Sequence, residues 1–126
     1  MTGPGARVRT VLLAGLVLAL VVQVVVLYAP EGPGQAPFAG ADKVVHLTVF
    51  LVPTVLALLA RLPVRGVVPA LAAHAVVSEV VQGTLLPDRS GDLWDAVADL
   101  VGVGIGVLLA RAVERRRVVG SGSTRW

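Results

Sequence analysis

Most of the acids of this chain, and one of its two histidines, gather in three short stretches: "DKVVH" at 42–46, "SEVVQ" at 78–82 and "DRSGDLWDAVAD" at 88–99. An imidazole among carboxylates can act as a general base, ligate a metal, or hydrogen-bond across helices as a buried polar residue, and the last is the leading reading of His46. A divalent metal would have to draw on His46, Glu79 and Asp99 or Asp95. Those residues lie on three segments without a compact signature such as His-Glu-x-x-His, so neither a metal nor a cofactor is expected. Ser78 has no base at a suggestive spacing and is not read as a nucleophile. The chain has no cysteine, which excludes disulfides, thiolate metal sites and a cysteine nucleophile.

The surroundings of these groups are unusual for a soluble domain. Of 126 residues 56% are hydrophobic and only 15% charged, with a mean hydropathy of +0.84, which places the chain among membrane proteins. Four apolar runs, at about 11–29, 44–60, 66–86 and 93–110, each approach the roughly 20 residues that a helix needs to cross a bilayer. The expected fold is therefore an all-α bundle of four transmembrane helices, one domain over 1–126. The first run exceeds the roughly 7–15 apolar residues of a cleavable signal and is read as an uncleaved span. Pro53, Pro69 and several glycines fall inside the runs, as transmembrane helices tolerate.

The net charge of +3 does not point to nucleic acid, because the basic residues sit at the ends of apolar runs. Arg7 and Arg9, Arg61 and Arg65, and Arg111, Arg115, Arg116, Arg117 and Arg125 fall on one side; Lys43 and Arg89 fall on the other. By the positive-inside rule both termini are cytoplasmic and Glu31, Asp42, Asp88 and Asp92 face outward. "ERRR" at 114–117 reads as a topology anchor that also attracts anionic lipid.

A helix rotates about 100° per residue, so Asp92, Asp95, Asp99, Gly102 and Gly106 share an arc of roughly 80° on the fourth span. A charge in mid-bilayer costs at least about 2.5–3.5 kcal/mol and a Gly-xxx-Gly face admits a close neighbour, so this face should turn inward, with Gly102 and Gly106 at a packing contact. Trp94 points elsewhere, toward the interface. Asp42 and His46 lie one turn apart on the second span, Asp42 being placed to cap it. His74, Ser78 and Gln82 make a stripe on the third, with Glu79 beside it and His74 deeper, bonding Ser78 or a backbone carbonyl. Glu79 and Asp99 both lie about 10 Å below the outer rim. The expectation is a polar pocket in the outer leaflet, open outward, built from Asp42, Lys43, His46, Glu79, Gln82, Arg89, Asp95 and Asp99. An interhelical network that only fixes packing is the competing reading.

In order and spacing, "DKVVH", "SEVVQ" and "PDRSGDLWDAVADLVGVGIG" at 87–106 resemble the VanZ-like family of small bacterial membrane proteins: Asp-Lys-x-x-His, Glu-x-x-Gln, then Pro-x-Arg, Asp-x-x-x-Asn and a glycine-rich helix. The resemblance singles out Asp42, Lys43, His46, Glu79, Gln82, Arg89, Asp95 and Gly102. The family's asparagine falls on Asp99, and an acid there must be protonated, paired or cation-bound. The resemblance implies a multi-pass protein of the inner (cytoplasmic) membrane with an envelope-related role, its partners being membrane lipids and a lipid-linked envelope precursor or a glycopeptide-like antibiotic. Arg89 and Lys43 would contact an anionic group, and loss of Arg89 would remove function without lowering membrane abundance. The alternatives are an intramembrane enzyme acting on a lipid head group, with His46 or Glu79 as base, and a structural or assembly factor.

Overall fold

The computed structural model describes residues 3–30, 34 and 36–122; Glu31 and Arg125 lie outside the described residues. Among these the chain forms four helices, α1 (Pro4–Tyr28), α2 (Ala41–Leu59), α3 (Val64–Leu85) and α4 (Leu93–Gly122). Each is long and apolar enough to cross a membrane, and their valines and leucines are largely exposed on the outside of the bundle, as lipid-facing residues would be. α2 is the central element. It packs most closely on α4, next on α1, and also touches α3.

The helices are longer than the apolar runs at both ends of the chain. α1 starts at Pro4 rather than at 11, with proline in the first turn, where its missing N–H is not needed. α4 runs past 110 to Gly122; "RAVERRR" at 111–117, mostly good helix formers, continues the helix beyond the apolar run, whereas propensity does not explain the last turn, "VVGSG". α2 ends in a turn with Arg61 at φ 65°, where Leu62 N–H donates to Ala57 O at 3.0 Å, the six-to-one closure of a Schellman turn without its usual glycine.

A small core of Leu27, Phe50, Leu71, Ala75 and Val103 holds the middle of the bundle. Beside it lies a polar contact that follows from backbone chemistry. Pro53, inside α2, has no N–H to give to the carbonyl four residues earlier, Val49 O. Gln23, fully buried on α1, donates its Nε2–H to that oxygen at 3.0 Å. An amide on one helix thus repairs the gap that a proline opens in another. Gln23→Leu is expected to destabilise the bundle by about 1–3 kcal/mol by leaving the carbonyl bare, and Pro53→Ala in the same chain should recover most of that loss. Reversible unfolding in mixed micelles measures both. Equal losses with and without Pro53 would refute this account.

Candidate functional site: a buried acid–histidine cluster at one end of the bundle

The ionisable residues of α2, α3 and α4 meet at the end of the bundle where α1 stops and α4 begins. His46 is the hub. Its Nδ1 lies 3.0 Å from Asp99 Oδ1 and 3.7 Å from Glu79 Oε1, while Nε2 lies 3.8 Å from Asp95 Oδ2. Three carboxylates from two helices therefore surround one imidazole from a third. Asp99 is fully buried and Glu79 only 9% exposed. Among the described residues Glu79 Oε1 and Asp99 Oδ2 have no hydrogen-bond partner, an arrangement that buried carboxylates rarely keep. The other Glu79 oxygen, Oε2, accepts the Asp92 N–H at 3.1 Å and ties α3 to the start of α4.

A second layer lies nearer the end of the bundle. Lys43 Nζ sits 2.7 Å from Asp92 Oδ2, 2.7 Å from Asp95 Oδ1 and 2.9 Å from Asp42 Oδ2. One ammonium is thus shared by three carboxylates and joins α2 to α4. The Lys43 ammonium holds the Asp92 carboxyl below the usual carboxylate range, helped by the Trp94 N–H. Asp42 itself stands in the first turn of α2, where a carboxylate suits the helix dipole, but the residue at the N-cap is Gly40. Trp94 is 68% exposed.

Gln82 and Arg89 have partners that no residue pattern announces. The last carbonyls of a helix lack intrahelical donors. At the end of α1, Val25 O receives the Ala29 N–H, Val26 O receives Arg89 Nη2–H at 3.0 Å, and Leu27 O receives Gln82 Nε2–H at 2.7 Å. Both side chains cap α1 from neighbouring segments. Arg89 Nε, also buried, has no hydrogen-bond partner among the described residues. His74 likewise differs from expectation: its Nε2 is 3.1 Å from the Tyr28 hydroxyl and its ring stacks on Tyr28 at 5.9 Å. Ser78 instead donates to Ala75 O. Tyr28 was not singled out by the sequence, because a tyrosine at the end of a span reads as an interfacial anchor.

A cavity of about 570 Å³ opens beside the cluster. Val25, Val26, Ala29 and Val45 form its apolar wall, and Asp42, His46, Gln82, Asp88, Arg89 and Asp95 supply its polar side. Of the expected pocket residues, Lys43, Glu79 and Asp99 do not line it; they form the layers behind His46 and beside Asp95. At the opposite end of the bundle, Arg9, Arg61 and Arg117 border one surface depression, and Arg61 lies 3.4 Å from Glu114. The molecule therefore has a basic end and an acid-rich end. Gly102 and Gly106, on the same face of α4 as the acids, lie against the backbone of α2 and the Thr54 side chain.

Comparison of the chain with protein-family models, curated proteins and solved structures finds no match.

Proposed function

We propose that this chain is a VanZ-like protein of the bacterial cytoplasmic membrane, with its basic end in the cytoplasm, that binds the head group of a lipid-linked envelope precursor at its acid-rich outer end. The family reading rests on the three sequence motifs, and the orientation on the positive-inside rule. The observation that carries the binding reading is the cavity, in which an apolar wall of α1 and α2 adjoins Arg89, His46 and Gln82. Its volume falls within the roughly 300–1,000 Å³ of small-ligand sites. An amphiphile needs such a junction of apolar and polar walls. Two of the acids on the polar side, Asp42 and Asp95, are already paired with Lys43, and Arg89 Nε is a buried donor without a partner among the described residues. These features favour an anionic group such as a phosphate.

Because Arg89 also caps α1, its loss is a poor test by itself. Val45→Trp fills the cavity from a position outside the hydrogen-bond network, and is expected to lower retention of the head-group lipid about tenfold with membrane abundance unchanged, as expected for steric exclusion from a site of this size. Arg89→Gln should lower both. Native mass spectrometry of lipids retained by the purified protein, together with envelope-lipid profiles of a deletion strain carrying each variant, reads the outcome. A Val45→Trp protein that keeps its bound lipids refutes the head-group site. Loss of abundance without loss of per-molecule binding in every cavity variant would instead indicate a structural factor.

The enzyme reading has one observation in its favour: Asp99 can orient His46 through Nδ1 while His46 borders the cavity, the arrangement of an aspartate-supported general base. Turnover of a head-group lipid by wild type and its absence in His46→Gln would establish it.

A further inference from the structure

We infer that His46, Glu79 and Asp99 form a binding site for one divalent first-row transition-metal ion, zinc or manganese. One ligand atom from each residue lies within 4.8 Å of the others. Small side-chain rotations bring such a set to the roughly 3–4 Å donor separations of a coordinated ion, which holds each donor at about 2.0–2.2 Å. His46 Nδ1 is already 3.0 Å from Asp99 Oδ1 and 3.7 Å from Glu79 Oε1.

The independent observation is the pair of carboxylate oxygens without partners. Glu79 Oε1 and Asp99 Oδ2 accept no hydrogen bond from the described residues, although Asp99 is fully buried and Glu79 nine-tenths buried. Glu79 Oε1 is aimed at the same imidazole nitrogen that Asp99 faces. Leaving a buried carboxylate oxygen bare is costly, and a cation between these groups satisfies it directly. Charge points the same way. Lys43 is taken up by Asp42, Asp92 and Asp95, so His46 is the only cationic side chain within ion-pair reach of Glu79 and Asp99 among the described residues. One imidazole balances at most one of two carboxylates.

The surroundings match a metal centre in two further ways. Glu79 is held from behind by the Asp92 N–H on Oε2. With Nδ1 on the ion, Nε2 would face Asp95 Oδ2, 3.8 Å away, beyond hydrogen-bond length but on the side where carboxylate–histidine–metal arrangements place their carboxylate, and Asp95 is itself anchored by Lys43. The ion replaces the proton that otherwise joins His46 to Asp99. It has an entry path, since His46 and Asp95 border the cavity. A nitrogen donor in the set favours transition metals over magnesium and calcium, which take oxygen ligands. The assignment stands independently of what fills the cavity.

The test uses the full chain, purified in detergent through a tag without histidines, stripped with chelator and titrated with Zn²⁺ and Mn²⁺. Wild type should bind one equivalent, with Mg²⁺ and Ca²⁺ failing to compete at equal concentration. Glu79→Gln, Asp99→Asn and His46→Gln should each weaken binding at least about tenfold, whereas His74→Gln should bind as wild type. Because a variant can lose affinity by misfolding, bound Mn²⁺ in the wild type is also examined by electron paramagnetic resonance, where ¹⁴N coupling reports an imidazole ligand and should persist in His74→Gln. Absence of stoichiometric binding overturns the site. So do binding unchanged in all three ligand variants, competition by Mg²⁺ and Ca²⁺ as effective as Zn²⁺, or bound Mn²⁺ without nitrogen coupling. A failure of metal binding leaves lipid retention and its Val45→Trp dependence intact, so the two proposals fall separately.

Discussion

Gly102→Ala is expected to destabilise the bundle by about 1–3 kcal/mol, the cost of overpacking a close contact, while Gly104→Ala leaves it unchanged or slightly more stable. The two positions sit two residues apart on α4 and face different surroundings. A Cβ on Gly102 would run into Leu47 O and lie 3.1 Å from Leu47 C and 3.2 Å from its Cα. These are backbone atoms of α2 and cannot rotate aside. At Gly104 none of the described residues lies within 4 Å. Alanine in a helix interior is worth about 0.5–1 kcal/mol over glycine, so a purely local effect would stabilise both variants, and the sign at Gly102 separates packing from propensity. Gly106→Ala should resemble Gly102→Ala, its Cβ meeting Thr54 Cβ at 2.7 Å and Leu51 O at 3.0 Å. Pushing α4 off Leu47 also moves Asp99, one turn before Gly102, away from His46, the neighbour of Leu47. Unfolding in mixed micelles, followed by helicity, decides the matter. Equal stabilities for Gly102→Ala and Gly104→Ala would sink it.

That contact was readable from the sequence for the same reason as the polar face beside it. Charge is so costly in lipid that Asp95 and Asp99 must turn inward, and helical rotation carries Gly102 and Gly106 with them. The fixed rise per residue likewise placed Glu79 and Asp99 at one depth, and both reach the same nitrogen of His46. Periodicity describes a helix around its own axis and stops there. It does not say which neighbour faces a stripe, so Tyr28 as the partner of His74 was not foreseen, and Lys43, open to reading either as a contact for an anion or as a partner of the acids, turns out to clasp three of them. The part played by α1 was least visible of all. Its contributions to the polar end, Val26 O and Leu27 O, are backbone carbonyls, which carry no residue type. Gln23 and Tyr28 marked that helix as more than an apolar rod, and the meaning of Gln23 depends on Pro53, a residue thirty positions later. The helix ends at Pro4 and Gly122 were missed because hydropathy registers the bilayer-sized part of a helix and not its polar continuation.

Removing the imidazole at the centre of the cluster should have the largest effect. His46→Ala deprives Asp99 of its ion-pair partner at 3.0 Å and opens the space between Glu79 and Asp95. Breaking a buried pair by deleting one member costs about 3–5 kcal/mol, because the remaining charge stays buried without compensation. Asp99→Asn is the informative companion. Asparagine matches the side chain in shape and still offers an amide oxygen to His46 Nδ1–H. Its expected cost is below about 1.5 kcal/mol, that of one ordinary hydrogen bond changed in kind. If uncompensated charge is what makes His46→Ala severe, then His46→Ala combined with Asp99→Asn should be more stable than His46→Ala alone, with a coupling of at least about 1 kcal/mol. The cycle is measured in chelator, so that no bound metal contributes. Strict additivity of the two substitutions would show that His46 stabilises the bundle by filling space, and that its carboxylate neighbours are balanced by something other than its ring.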